Sequence, residues 1–288
     1  PEIQYSLPSW FVKRWKKRLP GEWDDFFSAN NRVPPLSIRV NTLKITTYEL
    51  KKILLQEGVG KIEEGRWHDV LKIYGYPYIK DLRSYKMGYF TVQDEGAMWV
   101  SHVLSPNPGE TVLDLCSSPG GKAFHIATLM SNKGLVYAVD IKDDVLIKET
   151  KERLGIDIIK PIRFDLRKEM KDFYQKADKV LLDAPCTGLG TMRRRPELKW
   201  KRSEKDIYRM SDLQKLLIKN AVKYVKTGGT LVYSVCTLEG EEGEDVVKYL
   251  LTLSPNYELS PIDGKPYLYL YPHIYDTDGF FIAKIKVK

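Results

Sequence analysis

Apolar and polar positions follow two different patterns along the chain, and the change falls near residue 92. Before it, an amphipathic helical pattern covers Trp10–Arg18, and alternating residues predict strands at Leu36–Asn41 and Val70–Tyr74. Between these strands, Thr46–Glu49 has the sequence of a capping box, and the helix behind it is predicted to stop at Gly58. Residues 1–92 are therefore predicted to form a small α+β module.

From residue 93 onward, short apolar runs alternate regularly with amphipathic helical runs. This alternation is typical of a parallel, doubly wound α/β sheet with helices on both faces, so residues 93–288 are predicted to form one Rossmann-like domain. The strands are predicted at Thr111–Cys116, Gly134–Asp140, Ile158–Phe164, Lys179–Asp183, Thr230–Val235 and Phe280–Val287. The helices are predicted at Asp94–Leu104, Gly120–Ser131, Lys142–Leu154, Ser203–Lys226 (with Gly228 and Gly229 as its exit) and Gly243–Leu253.

Composition narrows the kind of partner and the compartment. The 288 residues include 46 Lys and Arg against 38 Asp and Glu, a net charge of +8 that favours a polyanionic partner. Residues 186–226 alone contain twelve basic and four acidic residues, which is the same excess. The chain has no apolar run that could span a membrane and begins without a secretion signal. Three cysteines do not make a disulfide framework, so a reducing cytoplasm is predicted.

Acidic residues follow four successive predicted strands, where this fold binds its ligands. They are Asp114, Asp140, Asp165 and Asp183, and any single one could instead be a helix cap. The glycines of the loop Cys116–Lys122 allow close approach of a ligand to the backbone. The spacings typical of NAD sites and of phosphate-binding P-loops are absent. The set of acids therefore favours a cationic nucleoside, S-adenosylmethionine.

Two cysteines follow the neighbouring fourth and fifth strands of the large sheet. Because parallel neighbours end side by side, Cys186 and Cys236 are expected to face one cleft beside the cofactor. A lone cysteine is usually a small buried apolar residue, and two thiols without nearby histidines make a poor zinc site, so no metal is expected. The layout suits methylation of a pyrimidine at carbon 5, in which a thiolate adds at carbon 6 and Asp183 stabilises the adduct near N3. Spacing alone leaves open which cysteine attacks.

The chain resembles the RNA cytosine-C5 methyltransferases of the Sun type, nearest the bacterial ribosomal RNA enzymes called RsmB. The resemblance is carried by Arg39–Lys44, Val92–Glu95, Asp114–Lys122, Asp183–Gly188, Arg193–Trp200, Cys236–Thr237 and Asp278–Phe281. It implies a Rossmann-like methyltransferase sheet with an N-terminal α+β RNA-binding module. It also implies that Cys236 is the nucleophile and that Cys186 helps to release the product. The cofactor S-adenosyl-L-methionine would be held by Cys116, Ser117, Ser118, Pro119, Gly120, Gly121, Lys122, Asp140, Asp165 and Asp183.

The expected substrate is RNA, with ribosomal RNA favoured. The predicted contacts are Arg193, Arg194, Arg195 and Lys199 beside the aromatic Trp200, with Arg39 and Lys44 from the N-terminal module. The target cytosine must be unstacked to reach the thiol. Ser117-Ser118 and Arg195 depart from the Ala-Ala and His that the family usually has, and the helical domain that usually precedes this part is absent from the chain. A monomer is expected. A tRNA methyltransferase, a DNA methyltransferase that uses Cys186, and a catalytically silent assembly factor remain as alternatives.

Overall fold

The computed structural model describes residues 1–142 and 145–288. The strands in chain order are β1 (Leu36–Val40), β2 (Lys61–Glu64), β3 (Val70–Tyr74), β4 (Phe90–Val92), β5 (Thr111–Leu115), β6 (Leu135–Asp140), β7 (Ile159–Arg163), β8 (Ala177–Asp183), β9 (Val225–Val235), β10 (Tyr257–Leu259), β11 (Leu268–Leu270) and β12 (Phe280–Val287). The helices are α1 (Glu2–Tyr5), α2 (Ser9–Arg18), α3 (Trp23–Ala29), α4 (Thr47–Gln56), α5 (Arg83–Lys86), α6 (Glu95–Leu104), α7 (Gly121–Leu129), α8 (Val145–Leu154), α9 (Leu198–Lys201), α10 (Glu204–Ala221), α11 (Glu244–Thr252) and α12 (Pro272–Tyr275).

The small sheet is built from alternating sequence. Its order is β2-β3-β1-β4 with antiparallel pairing throughout. The inward residues Ile38, Val40 and Ile73 pack against Leu50 and Leu54 of α4. The capping box that begins α4 is confirmed, because the Thr46 side chain accepts from the Glu49 backbone and the Glu49 side chain accepts from the Thr46 backbone. Residues 36–92 thus form an α+β unit as predicted.

The large sheet has the order β10-β12-β9-β8-β5-β6-β7, with β11 paired to β12. The strands from β9 to β7 in this order are parallel, and apolar clusters lie on both faces under the helices. The doubly wound Rossmann-like sheet is therefore confirmed. The prediction of a wholly parallel sheet was incomplete, since β12 runs antiparallel to β9 and carries β10 and β11.

The long helix before β9 ends earlier than its pattern predicts. Helix α10 has the predicted cap at Ser203 but stops at Ala221, and β9 already begins at Val225. Gly228 and Gly229, predicted as the helix exit, lie within the strand. Buried Val222, Tyr224 and Val225 extend the apolar pattern of the helix although they belong to the turn and the strand. Of the helix predicted at 142–154, residues 143 and 144 lie outside the described part.

Helices α2 and α3 precede the small sheet in the chain, yet they pack on the large domain. Phe11, Trp15 and Phe27 form one buried cluster with Leu189 and Leu238, which follow the two cysteine loops. Residues 1–31 are therefore part of the support of those loops. The boundary between residues 92 and 93 stays a prediction. Within the residues described, no helix is both long and apolar enough to cross a membrane.

Candidate active site

A cleft with a volume of about 500 Å³ opens at the carboxyl ends of the parallel strands. This size lies within the usual range for small-molecule sites. Its wall includes the predicted residues Cys116, Ser118, Asp140, Asp165, Asp183, Cys186, Arg195 and Cys236. Residues that sequence reasoning missed also line it, among them Ile141, Lys142, Phe164, Leu166, Arg167, Leu198, Arg202, Leu213 and Leu217. They come from loops, from the start of α9 and from α10, whose inward face the sequence could assign to the core but not to a cleft.

The loop after β5 is held in place by acids of the neighbouring strands. The Ser118 backbone N–H donates to Asp140 Oδ2 at 2.9 Å, and the Lys142 N–H donates to Asp140 Oδ1 at 2.9 Å. Ser117 Oγ donates to Asp114 Oδ2 at 2.7 Å, so Ser117 faces the core. Burial raises the pKa of Asp114 to about 7. Of the loop residues predicted to hold the cofactor, Cys116 and Ser118 line the cleft, whereas Ser117, Pro119, Gly120, Gly121 and Lys122 are not among the residues of its wall.

Two carboxylates on the cleft wall are available to a nucleoside. The Asp140 carboxylate lies at the cleft wall and is oriented by the backbone N–H groups that donate to it. This position suits hydrogen bonds from the two ribose hydroxyls of S-adenosylmethionine. Asp165 pairs with Arg167, whose Nη2 lies 2.7 Å from Oδ2, and the hydrogen bonds from Arg167 lower the pKa of Asp165 to about 2. Phe164 and Leu166 supply an apolar wall next to it. The residues present therefore fit the predicted cofactor.

A partly buried cation is paired with Asp183 of the cleft wall. Lys122 Nζ donates to Asp183 Oδ2 at 2.6 Å, and Ser234 Oγ donates to Asp183 Oδ1 at 2.7 Å. Burial opposes the charge of Lys122, yet the Asp183 carboxylate outweighs it and raises the lysine's pKa. The ammonium also lies 5.5 Å from the ring of Phe280. Lys122, which was predicted to hold the cofactor, thus forms an ion pair with Asp183, the residue predicted to stabilise the base.

The two cysteines that end neighbouring strands meet in the cleft. Cys186 Sγ and Cys236 Sγ lie 3.3 Å apart, and both thiols are free. The hydrogen bond with Cys236 and burial raise the pKa of Cys186 well above its usual range. Either sulfur can be the donor of this contact, and the raised pKa favours the protonated form of Cys186. Burial likewise raises the pKa of Cys116, which keeps this third thiol neutral.

The two predicted RNA contacts of the N-terminal module both bond to backbone carbonyls of the protein, Arg39 in the interior and Lys44 at the surface. Arg39 is only 2% exposed and donates to the backbone carbonyl of Gly121 at 2.7 Å. Lys44 Nζ donates to the Arg153 carbonyl at 2.7 Å. This corrects the prediction for Arg39, because a buried guanidinium bonded to the protein cannot reach an RNA phosphate. Both side chains join the small sheet to the large domain.

The basic loop after Cys186 is also largely tied to acids. Arg193 and Lys199 are buried and the Arg194 guanidinium is partly buried, so these three predicted RNA contacts are engaged within the protein. The partners are Asp276 for Arg193 at 2.9 Å, Asp94 and Asp278 for Arg194 at 2.8 and 3.0 Å, and Asn31 for Lys199 at 2.6 Å. Arg195 is exposed and lines the cleft, and Trp200, five residues further along the chain, is 64% exposed. Their contact with RNA stays a prediction.

A buried acid between two histidines is the one group, among residues 1–142 and 145–288, whose ligand atoms are close enough to hold a metal ion. His102 Nε2 lies 3.0 Å from Asp69 Oδ1, and His125 Nε2 lies 2.8 Å from Asp69 Oδ2. Burial lowers the pKa of His125 to about 3, so its ring is neutral. These distances are those of hydrogen bonds to Asp69. The absence of a metal stays a prediction.

Comparison with known proteins agrees with this geometry. A family model described as 16S rRNA methyltransferase RsmB/F matches residues 101–286, and a ferredoxin-like domain model of RsmF/B-like methyltransferases matches residues 7–75. The chain is 36% identical over 300 residues to the probable ribosomal RNA small subunit methyltransferase B of Bacillus subtilis, covering 98% of this chain and 67% of that protein.

Solved structures show the same similarity. The crystal structure of PH0851 has a TM-score of 0.95 at 39% identity, covering 99% of this chain and 67% of that chain. The structure of NSun6 from Pyrococcus horikoshii with SFG has a TM-score of 0.87 at 26% identity, covering 97% and 98%. The family model spans more than half of the chain. The chain belongs to the 16S rRNA methyltransferase RsmB/F family and is an RNA methyltransferase.

Proposed function

We propose that this protein methylates carbon 5 of a cytosine in ribosomal RNA with S-adenosyl-L-methionine, through a covalent bond between Cys236 and carbon 6 of the base. The observation that carries the proposal is the pair of thiols 3.3 Å apart in the cleft beside Asp183. The relative NSun6 was solved with SFG, an analogue of this cofactor, which supports the choice of cofactor. When bound, the cofactor supplies an electrophilic methyl group on a sulfonium centre.

The unequal chemistry of the two thiols favours Cys236 as the attacking group. Burial and the contact with Cys236 raise the pKa of Cys186 well above its usual range, so Cys186 is the less suited of the two thiols to attack as a thiolate. The partly buried Lys122 ammonium supplies positive charge on the Cys236 side of the pair. A thiolate is the reactive form of cysteine, and a neighbouring cation favours it. This argues against the alternative in which Cys186 attacks.

The remaining groups account for the proton and bond changes. Cys236 Sγ forms a bond to carbon 6 as its thiol proton passes to N3, and the Asp183 carboxylate, backed by Lys122, accepts a hydrogen bond from the N3–H that results. Carbon 5 then takes the methyl group and must lose its proton. The Cys236–carbon 6 bond breaks as that proton is removed: Cys186 passes its own thiol proton to the leaving Cys236 sulfur and takes the carbon 5 proton in its place. Arg195 on the cleft wall suits a phosphate of the RNA, and the exposed Trp200 in the same basic segment offers a surface on which a base could stack.

Replacing each cysteine separately tests the assignment. Cys186→Ala should accumulate a protein–RNA adduct that survives denaturing gel electrophoresis, because attack proceeds and release fails. Cys236→Ala should form no adduct and no product. The opposite pattern would show that Cys186 attacks. Bisulfite sequencing of ribosomal and transfer RNA incubated with wild-type protein identifies the substrate, and 5-methylcytosine confined to transfer RNA would favour the tRNA alternative.

A further inference from the structure

A fully buried carboxylate lies directly behind the loop that carries Cys186. Glu242 is 0% exposed, and its Oε2 accepts the backbone N–H of Thr187 at 2.9 Å. Its Oε1 accepts the Thr187 hydroxyl, which lies 3.4 Å from the hydroxyl of Thr237. Thr187 directly follows Cys186, and Thr237 directly follows Cys236. One carboxylate thus connects the two positions next to the thiols.

The residue before Cys186 is held from the same point. Gln214 of α10 donates through Nε2 to Glu242 Oε2 at 3.0 Å and to the Pro185 carbonyl at 2.9 Å. Cys186 is therefore fixed on both sides by bonds that converge on Glu242. Glu242 is not itself among the residues of the cleft wall and reaches the wall only through Thr187, which separates it from groups that would touch the cofactor or the base.

A buried carboxylate needs a reason to be in the core. Burial disfavours its charge and raises its pKa to about 7, a cost that an apolar residue would avoid. Its oxygens are satisfied by the loop of Cys186 and by Gln214, so the cost is offset by contacts that order this loop. Nothing in these contacts stabilises the cofactor loop, which lies on the other side of β8.

We propose that Glu242 is a positioning residue that fixes Cys186 against Cys236 and thereby sets the rate at which product is released from Cys236. The inference rests on the proposed function, because it uses the release role of Cys186. Misplacement of a reacting group by about 1 Å can cost on the order of 100-fold in rate. Loss of the Thr187 clamp should therefore slow release while leaving attack by Cys236 intact.

The spacing of the thiols is measured first, without RNA. Phenylarsine oxide bridges two adjacent thiols by forming two arsenic–sulfur bonds, and its oxygen leaves as water with the two thiol protons. In a Cys116→Ser background, the wild-type pair should bind one equivalent tightly. Glu242→Ala and Thr187→Val should weaken binding by about tenfold or more, whereas Thr187→Ser, which keeps the hydroxyl, should bind like wild type.

Product release is measured next, on RNA. Glu242→Ala and Thr187→Val should accumulate the covalent adduct as Cys186→Ala does, with turnover reduced about 10–100-fold and with unchanged affinity for S-adenosylmethionine in calorimetry. Thr187→Ser should release product normally. Glu244→Ala is the matched control, since Glu244 lies in the same segment but bonds to Tyr269 and Lys248 outside the cleft.

The outcomes separate the two proposals. Wild-type thiol spacing and wild-type release in Glu242→Ala would overturn the positioning role. If Glu242→Ala loses both its affinity for the cofactor and its ability to form the adduct, the positioning role is also overturned, because Glu242 would then merely support the fold. If Cys186→Ala forms no adduct, the proposed covalent mechanism fails. The arsenical result then still decides whether Glu242 holds the two thiols together.

Discussion

At the scale of single residues, the two cysteine loops are packed backbone against backbone. The Gly190 N–H donates to the Cys236 carbonyl at 3.0 Å, and the Gly279 N–H donates to the Gly190 carbonyl at 2.8 Å. A methyl group on Gly190 would lie 2.0 Å from the Gly279 carbonyl oxygen and 2.9 Å from the Cys236 carbonyl oxygen. Neither neighbour can move without moving a site loop.

Gly190→Ala should therefore lower the free energy of unfolding by about 1–3 kcal/mol and reduce methyl transfer, because overpacking displaces the Cys236 loop. Urea denaturation and an RNA methylation assay measure the two effects. Gly240→Ala serves as the control, since a methyl group there would meet only the Arg18 side chain at 3.8 Å. Equal stability of the two variants would contradict the packing argument.

The sequence predicts single residues well where their function follows from strand order. Asp140, Asp165, Asp183 and the cysteines all line one cleft because strands that neighbour in the sheet end at one edge. It fails for Arg193 and Arg194, whose acidic partners lie more than eighty residues away in sequence. A run of basic residues in a loop has the same sequence pattern whether its side chains bind RNA or pair with acids that are distant in the chain.

At the scale of elements, helix α2 acts on the loop after Cys236. Arg14 Nε lies 2.5 Å from Glu239 Oε2, Arg18 Nη1 lies 3.1 Å from the same oxygen, and Trp15 Nε1 donates to Glu239 Oε1 at 2.9 Å. Glu239 is fully buried. A buried carboxylate in this position depends on its cations, because the core cannot solvate it.

Arg14→Met should lower the free energy of unfolding by about 2 kcal/mol, less than a fully broken buried pair, because Arg18 and Trp15 still bind Glu239. Lys13→Met, on the exposed face of the same helix, should change it by no more than about 0.5 kcal/mol. Chemical denaturation of both variants makes the comparison. A smaller effect for Arg14 than for Lys13 would exclude the ion pair as a support of the loop.

Elements are predicted reliably where periodicity and end signals agree. The capping sequences at Thr46 and Ser203 mark the starts of α4 and α10 correctly. The end of α10 is missed because the apolar residues of β9 continue its pattern. The antiparallel direction of β12 is missed because the pattern of apolar residues in a strand does not reveal the direction in which the strand runs. Only the pairing of β12 with β9 decides that direction.

At the scale of the whole molecule, buried carboxyls tie stability to pH. Burial raises the pKa values of Asp114, Glu242 and Asp278 to about 7 in the folded protein. The folded state therefore binds these protons more tightly than the unfolded state. Their stabilising contribution is complete below the unfolded pKa values near 4 and is lost as pH rises through about 7. The lowered pKa of His125 acts in the opposite direction below about pH 6.5.

The free energy of unfolding should accordingly fall between about pH 5 and 7.5. Asp114→Asn should reduce the slope of that fall by up to about one proton, because one raised carboxyl has been removed. Urea titrations at closely spaced pH values give the slope for both proteins. Stability that rises over this interval in the wild type would contradict ionisation of these buried acids as the dominant effect.

The bond from Arg39 to the Gly121 carbonyl has a thermodynamic consequence. It connects β1 of the small sheet to the first residue of the helix behind the cofactor loop. Where a contact depends on the arrangement of both partners, binding at one partner changes the equilibrium at the other, and the free energy of coupling is the same in both directions. A ligand that orders the loop should tighten the docking of the small sheet. Any interaction that holds the small sheet in place should strengthen the binding of that ligand by the same free energy.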